Sequence, residues 1–306
     1  MTGFWAERTV LITGGGGFLG RAVRRAVERR DPARVLCPSS ADYDLREAAQ
    51  VTAMLDDHRP DVVIHLAARV GGIGANLERP ADLYLDNLLM GTHVLEATRR
   101  ADTAKTVIVG TICSYPKFTP VPFEESSLWQ GYPEETNAPY GIAKLAQLVQ
   151  LQANRAQYGQ SAIYLMPTNL YGPGDKFHPA VSHVIPALIK KCVDAVEAGA
   201  DHIDVWGTGS ASREFLYVDD AAEGIALATE RYDDADLVVM IAEMVGFAGE
   251  IRWDTTRPDG QPRRRVDPSR ARRAFGFEAE VRFEDGLRRT IDWYRRHRDE
   301  AEARAY

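Results

Sequence analysis

Nothing in the 306 residues approaches the run of roughly 18–20 apolar residues that spans a bilayer. The opening stretch, MTGFWAERTVLITGGGG, lacks the basic segment, apolar segment and small-residue cleavage site of a secretory leader. Cysteine is scarce. Cys37, Cys113 and Cys192 are widely spaced and odd in number, which fits a reducing compartment and argues against a disulfide framework. No Cys/His cluster has metal-ligand spacing, so no metal is expected. Positive charge is in deficit: 37 Lys and Arg against 44 Asp and Glu leave a net charge of −7. Nucleic acid and anionic membrane are therefore poor candidates for the main partner, because both demand a basic footprint. Internal repeats and low-complexity tracts are also missing. What remains is 45% hydrophobic and 26% charged, an ordinary globular chain long enough for one large domain or two small ones. The expectation is a soluble, cytoplasmic enzyme.

Apolar, β-branched clusters recur at Thr9–Ile12, Arg34–Leu36, Asp61–Leu66, Thr106–Val109, Ala162–Leu165 and His202–Trp206. Helical patterns lie between them, at Glu47–His58, Leu88–Arg100 and Ile142–Tyr158. Continuous apolar strands alternating with such helices predict an α/β fold, a Rossmann-type doubly wound parallel sheet covered on both faces. After Pro173 the rhythm loosens into Pro-rich loops, a helix near Val184–Glu197 and a charged C-terminal stretch, Trp293–Tyr306, that reads as a frayed helix.

The first strand runs into Gly14-Gly15-Gly16-Gly17-Phe18-Leu19-Gly20. This is G-x-x-G-x-x-G between a strand and a helix, where side chains would keep a pyrophosphate from the N–H groups at the helix N-terminus. Nucleotide binding is the favoured reading over a plain βα turn. The second strand ends Cys37-Pro38-Ser39-Ser40, with no acid before Asp42. A carboxylate there would grip the adenosine 2′-hydroxyl of NAD. The small hydroxyls leave room for a 2′-phosphate, so NADP(H) is preferred, NAD(H) remains possible, and Arg21 and Arg34 are the nearest candidate cations.

Tyr140-Gly141-Ile142-Ala143-Lys144 sets a tyrosine and a lysine four apart at the start of a helix, hence on one face. A cation beside a phenol lowers its pKa and makes Tyr140 a usable acid/base. Thr111, just after the fourth strand, adds a hydroxyl where ligands bind in such sheets.

Together, the glycine loop, His65-Leu66-Ala67-Ala68, Thr111, Tyr140 and Lys144 resemble the extended short-chain dehydrogenase/reductases that act on nucleotide sugars. Longer segments resemble the GDP-L-fucose synthase family in particular. They include Ala67–Ile73, Cys113–Lys117, Pro167-Thr168-Asn169-Leu170-Tyr171-Gly172-Pro173, Phe177–Pro179, Ser182–Leu188 and Arg213–Leu216. The resemblance covers most of the chain, from about Thr9 to Pro258-Asp259-Gly260 and beyond. It implies a bifunctional 3,5-epimerase and NADPH-dependent 4-reductase converting GDP-4-keto-6-deoxy-D-mannose to GDP-L-fucose. It also implies site residues. Thr111 and Tyr140 would hold the ketone oxygen, Lys144 would tune Tyr140, and Cys113 and His183 would epimerise. Gly14, Gly17, Phe18, Leu19, Gly20, Ser39, Ser40, Ala67, Lys144, Pro167, Asn169 and Leu170 would bind the cofactor. Asn169, Val184, Trp206 and Arg213 would bind the GDP-sugar. His65 would pack beneath the cofactor, and His178 has no assigned role.

The chemistry gives the epimerising pair its own logic. A C4 ketone acidifies C3 and C5, and inversion needs a base on one face and an acid on the other, poised near neutrality. Two departures from the family stand out. Ile112 replaces a small hydroxyl residue, and Tyr232–Asp236 runs directly into Leu237–Met240, read as a helix, where a strand and a glycine turn are usual. The short Asp236–Leu237 junction is expected to reflect residues missing from this sequence. Family analogy further implies a homodimer through the helices at Leu88–Arg100 and at Tyr140–Lys144. It also implies a division into an NADP-binding domain, residues 1–173 plus about 214–232, and a sugar-nucleotide subdomain, residues 174–213 and 233–306. Two alternatives stay open: an epimerase or reductase on a related nucleotide sugar, such as a GDP-heptose, with epimerisation lacking net reduction, and a non-catalytic nucleotide-binding module.

Overall fold

The computed structural model describes residues 3–179, 181–206, 208, 210–233, 238–240, 251–254 and 264–303. Six parallel strands form the main sheet: β1 (Thr9–Thr13), β2 (Arg34–Leu36), β3 (Val62–His65), β4 (Lys105–Val109), β5 (Ala162–Pro167) and β9 (Val238–Met240), in the order β2-β1-β3-β4-β5-β9. Between them run α1 (Phe18–Glu28), α2 (Ala48–His58), α3 (Ile73–Glu78), α4 (Pro80–Arg100) and α5 (Ala138–Tyr158). The predicted doubly wound sheet is thus present. α4 and α5 begin earlier than the periodicity suggested, each with a proline in its first turn, where the missing N–H costs nothing.

The two faces of the sheet have separate cores. Val10, Ile12, Val62 and Ile64 pack against α1 and against α7 (Val218–Arg231) and α8 (Ser269–Phe275). The intervening Leu11 and Val63 point the other way, onto Val51, Met54 and Leu55 of α2 and Val94 of α4. Residues buried on both faces explain why these strands read as continuous apolar runs. Each such side chain contributes roughly 1.5–3 kcal/mol of burial. Winding reverses between β1 and β3, and that reversal opens a crevice at their carboxyl ends.

A smaller lobe has its own core of Tyr171, Phe177, Ile185, Ile189, Tyr217, Phe283 and Tyr294. It is built on β6 (Asn169–Tyr171) paired with β8 (Phe215–Tyr217), on α6 (Val184–Ala198), and on β7 (Ile203–Trp206) paired with β10 (Ile251–Asp254). As far as Ala303 the C-terminal stretch is regular helix rather than frayed. α9 (Phe283–Arg296) breaks at His297 and resumes as α10 (Arg298–Ala303). Tyr294 stacks on Phe177 with 4.3 Å between ring centroids, and Arg298 is paired with Asp194, Glu197 and Glu302.

Val238–Met240 corrects the helix expected there. It pairs in parallel with Leu165–Pro167 of β5. Without it β5 would be an edge with unpaired peptide groups, and two adjacent valines suit an extended backbone. Asp234–Leu237 and Pro258-Asp259-Gly260 lie outside the described residues.

Candidate active site

The glycine loop crosses the carboxyl end of β1, at the winding reversal. Gly14 has φ 71, and a Cβ on it would stand 2.7 Å from the Ala67 amide nitrogen, so the loop seats directly on the segment after β3. Gly20 lets α1 close onto the loop, since a Cβ there would stand 2.0 Å from the Gly14 carbonyl oxygen. Gly16 and Gly17 are exposed and Phe18 and Leu19 half-buried, leaving the N-terminus of α1 open to an anion. These features fit a dinucleotide pyrophosphate.

At the far end of that groove Asp42 folds back. Its carboxylate accepts from the Ser39 amide at 2.9 Å and the Ser39 hydroxyl at 2.7 Å, and those bonds hold its pKa below the ordinary value. The strand end itself carries no acid, as read, and Asp42 enters only in the turn that follows β2. Ser40 is exposed beside it. Neither nominated arginine stands there. Arg34 opens β2, at the end opposite the ligand crevice, and Arg21 donates to the carbonyls of Gly16 and Gly174. The cation acting on Cys37, just past β2, is Arg24 of α1, which sequence reading missed because it lies about one turn of helix beyond the motif.

Beneath the crevice, His65 is fully buried. Its Nδ1 lies 2.8 Å from the Thr13 hydroxyl, while its Nε2 has no hydrogen-bond partner. Burial first, then the charge of Lys144, hold its pKa far below the ordinary histidine value, so the ring is neutral. Lys144 is 2% exposed, with Gln147 Oε1 at 3.4 Å. Burial lowers its pKa to about 8. Gln147 is itself pinned, donating to the Asn87 carbonyl at 2.8 Å. A buried cation with one long hydrogen bond beside an unpartnered imidazole nitrogen is a polar floor that fits a nicotinamide ribose.

Tyr140 meets Thr111 and Cys113 because of the glycine that follows it. A Cβ at Gly141 would stand 2.6 Å from the Cys113 carbonyl oxygen, and the Gly141 carbonyl accepts from the Ser114 hydroxyl at 2.8 Å. The Thr111 hydroxyl accepts from the Cys113 amide at 3.2 Å, closing the short turn after β4. Ile112 points away from the site into the core at 2% exposure. The phenol of Tyr140 is pushed up, not down: burial dominates, the Cys113 charge adds to it, and a hydrogen bond with Thr111 opposes both. The expectation that Lys144 makes Tyr140 easier to ionise therefore fails in this arrangement. Tyr140 is a protonated phenol, suited to giving up a proton.

His183 caps α6, and the preceding Ser182 carbonyl rests against Gly72, where a Cβ would stand 2.7 Å from its oxygen. The ring is exposed to the cleft. Surrounding protein first, then the charges of Lys176 and Arg264, hold it well below the ordinary value, a shift screened by the water that reaches it. His183 is thus a neutral imidazole near pH 7. Val184 beside it is 46% exposed. Arg264, only 9% exposed, donates to Asn169 Oδ1 at 3.3 Å, and Asn169 Nδ2 donates to the Glu214 carbonyl at 2.8 Å. Asn169 thus joins β6 to β8 as well as lying near the cleft. Pro167 ends β5, and Leu170 is half-buried on β6. Arg213 donates to the Ser212 carbonyl at 2.9 Å. Trp206 ends β7, and its side chain lies outside the described residues. Arg264 escaped sequence reading because one arginine in the run Arg263-Arg264-Arg265 looks like its neighbours. Only the fold buries it.

A glycine-loop sheet with a buried, proton-bearing phenol, a buried lysine and an adjoining hydroxyl defines a nicotinamide-dependent oxidoreductase-type site. The chain matches the model of the NAD dependent epimerase/dehydratase family over residues 10–242 and belongs to that family. It is 39% identical to GDP-L-fucose synthase 1 of Arabidopsis thaliana, covering 93% of this chain and 92% of that one. It is 35% identical to GDP-L-fucose synthase of Escherichia coli K12, covering 96% and 98%. A solved structure of a GDP-L-fucose synthetase from Naegleria fowleri bound to NADP superposes with a TM-score of 0.85 at 26% identity, covering 98% of each chain. No helix among the described residues is long and apolar enough to cross a membrane.

Proposed function

We infer that the protein is a 3,5-epimerase and 4-reductase that uses NADP(H) to convert GDP-4-keto-6-deoxy-D-mannose to GDP-L-fucose. The observation that carries this reading is the close approach at Gly141, which sets Tyr140 against Thr111 and Cys113. Relatives bearing that activity in their names support the sugar, and the NADP-bound neighbour supports the cofactor.

The chemistry divides between the lobes. With the C4 oxygen held by Thr111 and Tyr140, the C3 and C5 protons become acidic. One of Cys113 and His183 removes each proton and the other returns one to the opposite face. A reduced nicotinamide, when bound, supplies hydride to C4. Tyr140 then gives its phenolic proton to the new alkoxide, and Lys144 fixes the ribose and the phenol. Asn169, Val184, Trp206 and Arg213 bind the GDP-sugar in this reading, with residues 1–173 and about 214–232 as the cofactor lobe and residues 174–213 and 233–306 as the sugar lobe. β9 is the exception, since it joins the main sheet.

A homodimer is part of the same reading. Leu85 on α4 and Val149 on α5 are exposed, and Tyr84, Tyr132 and Ile142 line an open apolar depression at the start of those helices. A second copy of the chain would cover this face, and light scattering at micromolar concentration reads its presence. Three free, half-buried cysteines accord with a reducing, cytoplasmic setting.

Incubation with GDP-4-keto-6-deoxy-D-mannose and NADPH in D₂O tests the activity. The expected result is NADPH oxidation together with deuterium at C3 and C5 of the product. Deuterium uptake without NADPH oxidation would establish the isomerase alternative instead, and neither signal would remove the enzymatic reading.

A further inference from the structure

The segment Gly172–Lys176 carries the chain from β6 to the loop that ends at His183. Its downstream side is fixed in the small lobe: the Phe177 amide donates to the Ala301 carbonyl at 3.3 Å, and the Phe177 ring stacks on Tyr294. From the large lobe Arg21 reaches the segment. Arg21 sits in the first turn of α1, donating through Nη1 to the Gly16 carbonyl at 2.7 Å and through Nη2 to the Gly174 carbonyl at 2.9 Å. One guanidinium therefore spans from the glycine loop to the bridge between the lobes.

That position is electrostatically opposed. A cation in the first turn of a helix faces the positive end of the macrodipole, and α1 has no acidic residue there to offset it. An anion bound at the same N–H groups reverses the sign, stabilising dipole and guanidinium together. The bridge holds itself by local bonds: the Asp175 amide donates to the Gly172 carbonyl at a long 3.4 Å, and the other bond involves the Asp175 carboxyl. Asp175 is 3% exposed. Its Oδ1 accepts from the Lys176 amide at 2.7 Å, while Oδ2 is buried without a partner. A segment with one long bond and an unspent carboxyl oxygen still draws on outside contacts to hold its geometry.

We propose that Arg21 is a positioning residue coupling an anion bound at the glycine loop to the Gly172–Lys176 bridge, and through it to the placement of His183. The coupling rests on the contacts alone. Its functional consequence rests on the epimerase–reductase reading, in which proton exchange at C3 and C5 consumes no cofactor, so that any gain in exchange on cofactor binding reports the coupling. By reciprocity, a sugar that settles the bridge tightens cofactor binding by the same factor.

NADP⁺, which donates no hydride, is the probe. Amide hydrogen exchange across residues 174–178 is followed with and without it in the wild type, in Arg21→Ala and in Arg21→Lys. Lysine keeps the charge but cannot fork to two carbonyls, so it carries the test if alanine impairs folding. The wild-type amides should slow by roughly 5–10-fold, the lower part of the usual coupling range. Arg21→Lys should bind NADP⁺ in calorimetry yet lose that slowing. Protection that persists unchanged in both variants, or is absent from the wild type, overturns the proposal. Deuterium uptake by the keto-sugar, measured beside it, should rise with NADP⁺ in the wild type and not in Arg21→Lys. If the bridge amides are protected but no deuterium enters the sugar, the coupling stands and the epimerase reading falls.

Discussion

Replacing Asp175 by asparagine should remove one falling component from the pH dependence of stability. Burial raises the Asp175 carboxyl to about 7, against an unfolded value of roughly 3.9. As pH climbs from 4, the unfolded chain releases this proton while the folded chain keeps it. The unfolded state then binds fewer protons, so stability falls with rising pH until the folded carboxyl also ionises near 7, and is constant above that. Each unit of separation is worth about 1.4 kcal/mol, so about three units give a loss of about 4 kcal/mol. Asparagine has the same shape, keeps an acceptor for the Lys176 amide and does not titrate. Its amide NH₂ takes the place of the unpartnered oxygen, a penalty of roughly 1–3 kcal/mol that does not vary with pH. His65 and His183 are both depressed, and their contribution has the opposite slope, rising toward pH 6.5. The wild-type curve alone therefore mixes signs, and the variant-minus-wild-type difference isolates Asp175. Urea midpoints taken from pH 4 to pH 8, at constant m-value, should show that difference climbing by about 4 kcal/mol between pH 4 and 7. A difference independent of pH would refute the reasoning.

Tyr140→Phe should lower reduction by roughly 10²–10⁴-fold, as removal of a general acid does, while retaining part of the deuterium exchange at C3 or C5, since Thr111 still holds the C4 oxygen; an equal loss of both would show that Thr111 does not hold it alone. Cys113→Ser should abolish that exchange and leave NADPH affinity unchanged by calorimetry, and wild-type exchange in the variant would reduce the cysteine to packing. Asp42→Asn removes a carboxylate from the turn that would receive the adenosine 2′ group in the proposed reading. At about 5 Å in water it repels a 2′-phosphate by roughly 1 kcal/mol, so NADPH should bind about fivefold more tightly. Unaltered NADPH affinity would place Asp42 outside that subsite. Gly141→Ala forces α5 away from the Cys113 carbonyl and should lower both half-reactions about tenfold or more; full activity with an unchanged melting temperature would show that the approach is not needed.

The strands of the main sheet could be read from the sequence because burial on both faces leaves only one pattern, an unbroken apolar run. Tyr140 and Lys144 were readable for a similarly local reason, since four residues on a helix define a face. What escaped reading depends on distant partners. The Val238–Met240 segment is helical or extended according to whether β5 needs an edge partner, and only the pairing with Leu165–Pro167 decides it. Asp42 reads from the sequence only as the first acid after the strand, and its carboxylate turns back to accept from the Ser39 amide and hydroxyl three residues earlier, a contact that spacing alone does not show. The direction of the Tyr140 shift was misread because spacing supplies the neighbouring cation but not the burial that outweighs it. Arg264 and Asp175 become notable only through depth, at 9% and 3% exposure.

The placement of the reacting groups argues for a division of labour with kinetic consequences. Thr111, Cys113, Tyr140 and Lys144 all belong to the large lobe, gathered by the β4 turn and the start of α5. His183 and Arg264 stand with the small lobe's loops, and Ser182 touches the large lobe at Gly72. In the proposed mechanism, hydride transfer thus draws its proton from a group held within the large lobe, whereas epimerisation requires groups from both sides of the cleft. Anything that loosens the Gly172–Lys176 bridge should therefore slow epimerisation before it slows reduction. Gly72 tests that order from the large-lobe side. Crowding Gly72 by alanine pushes against the Ser182 carbonyl while leaving the Tyr140 neighbourhood untouched. Deuterium exchange at C3 and C5 should fall by about an order of magnitude in that variant, with NADPH affinity unchanged. If reduction of an already epimerised keto-sugar fell by the same factor, the two half-reactions would share one rate-determining arrangement of the lobes, and the division argued from the geometry would not hold.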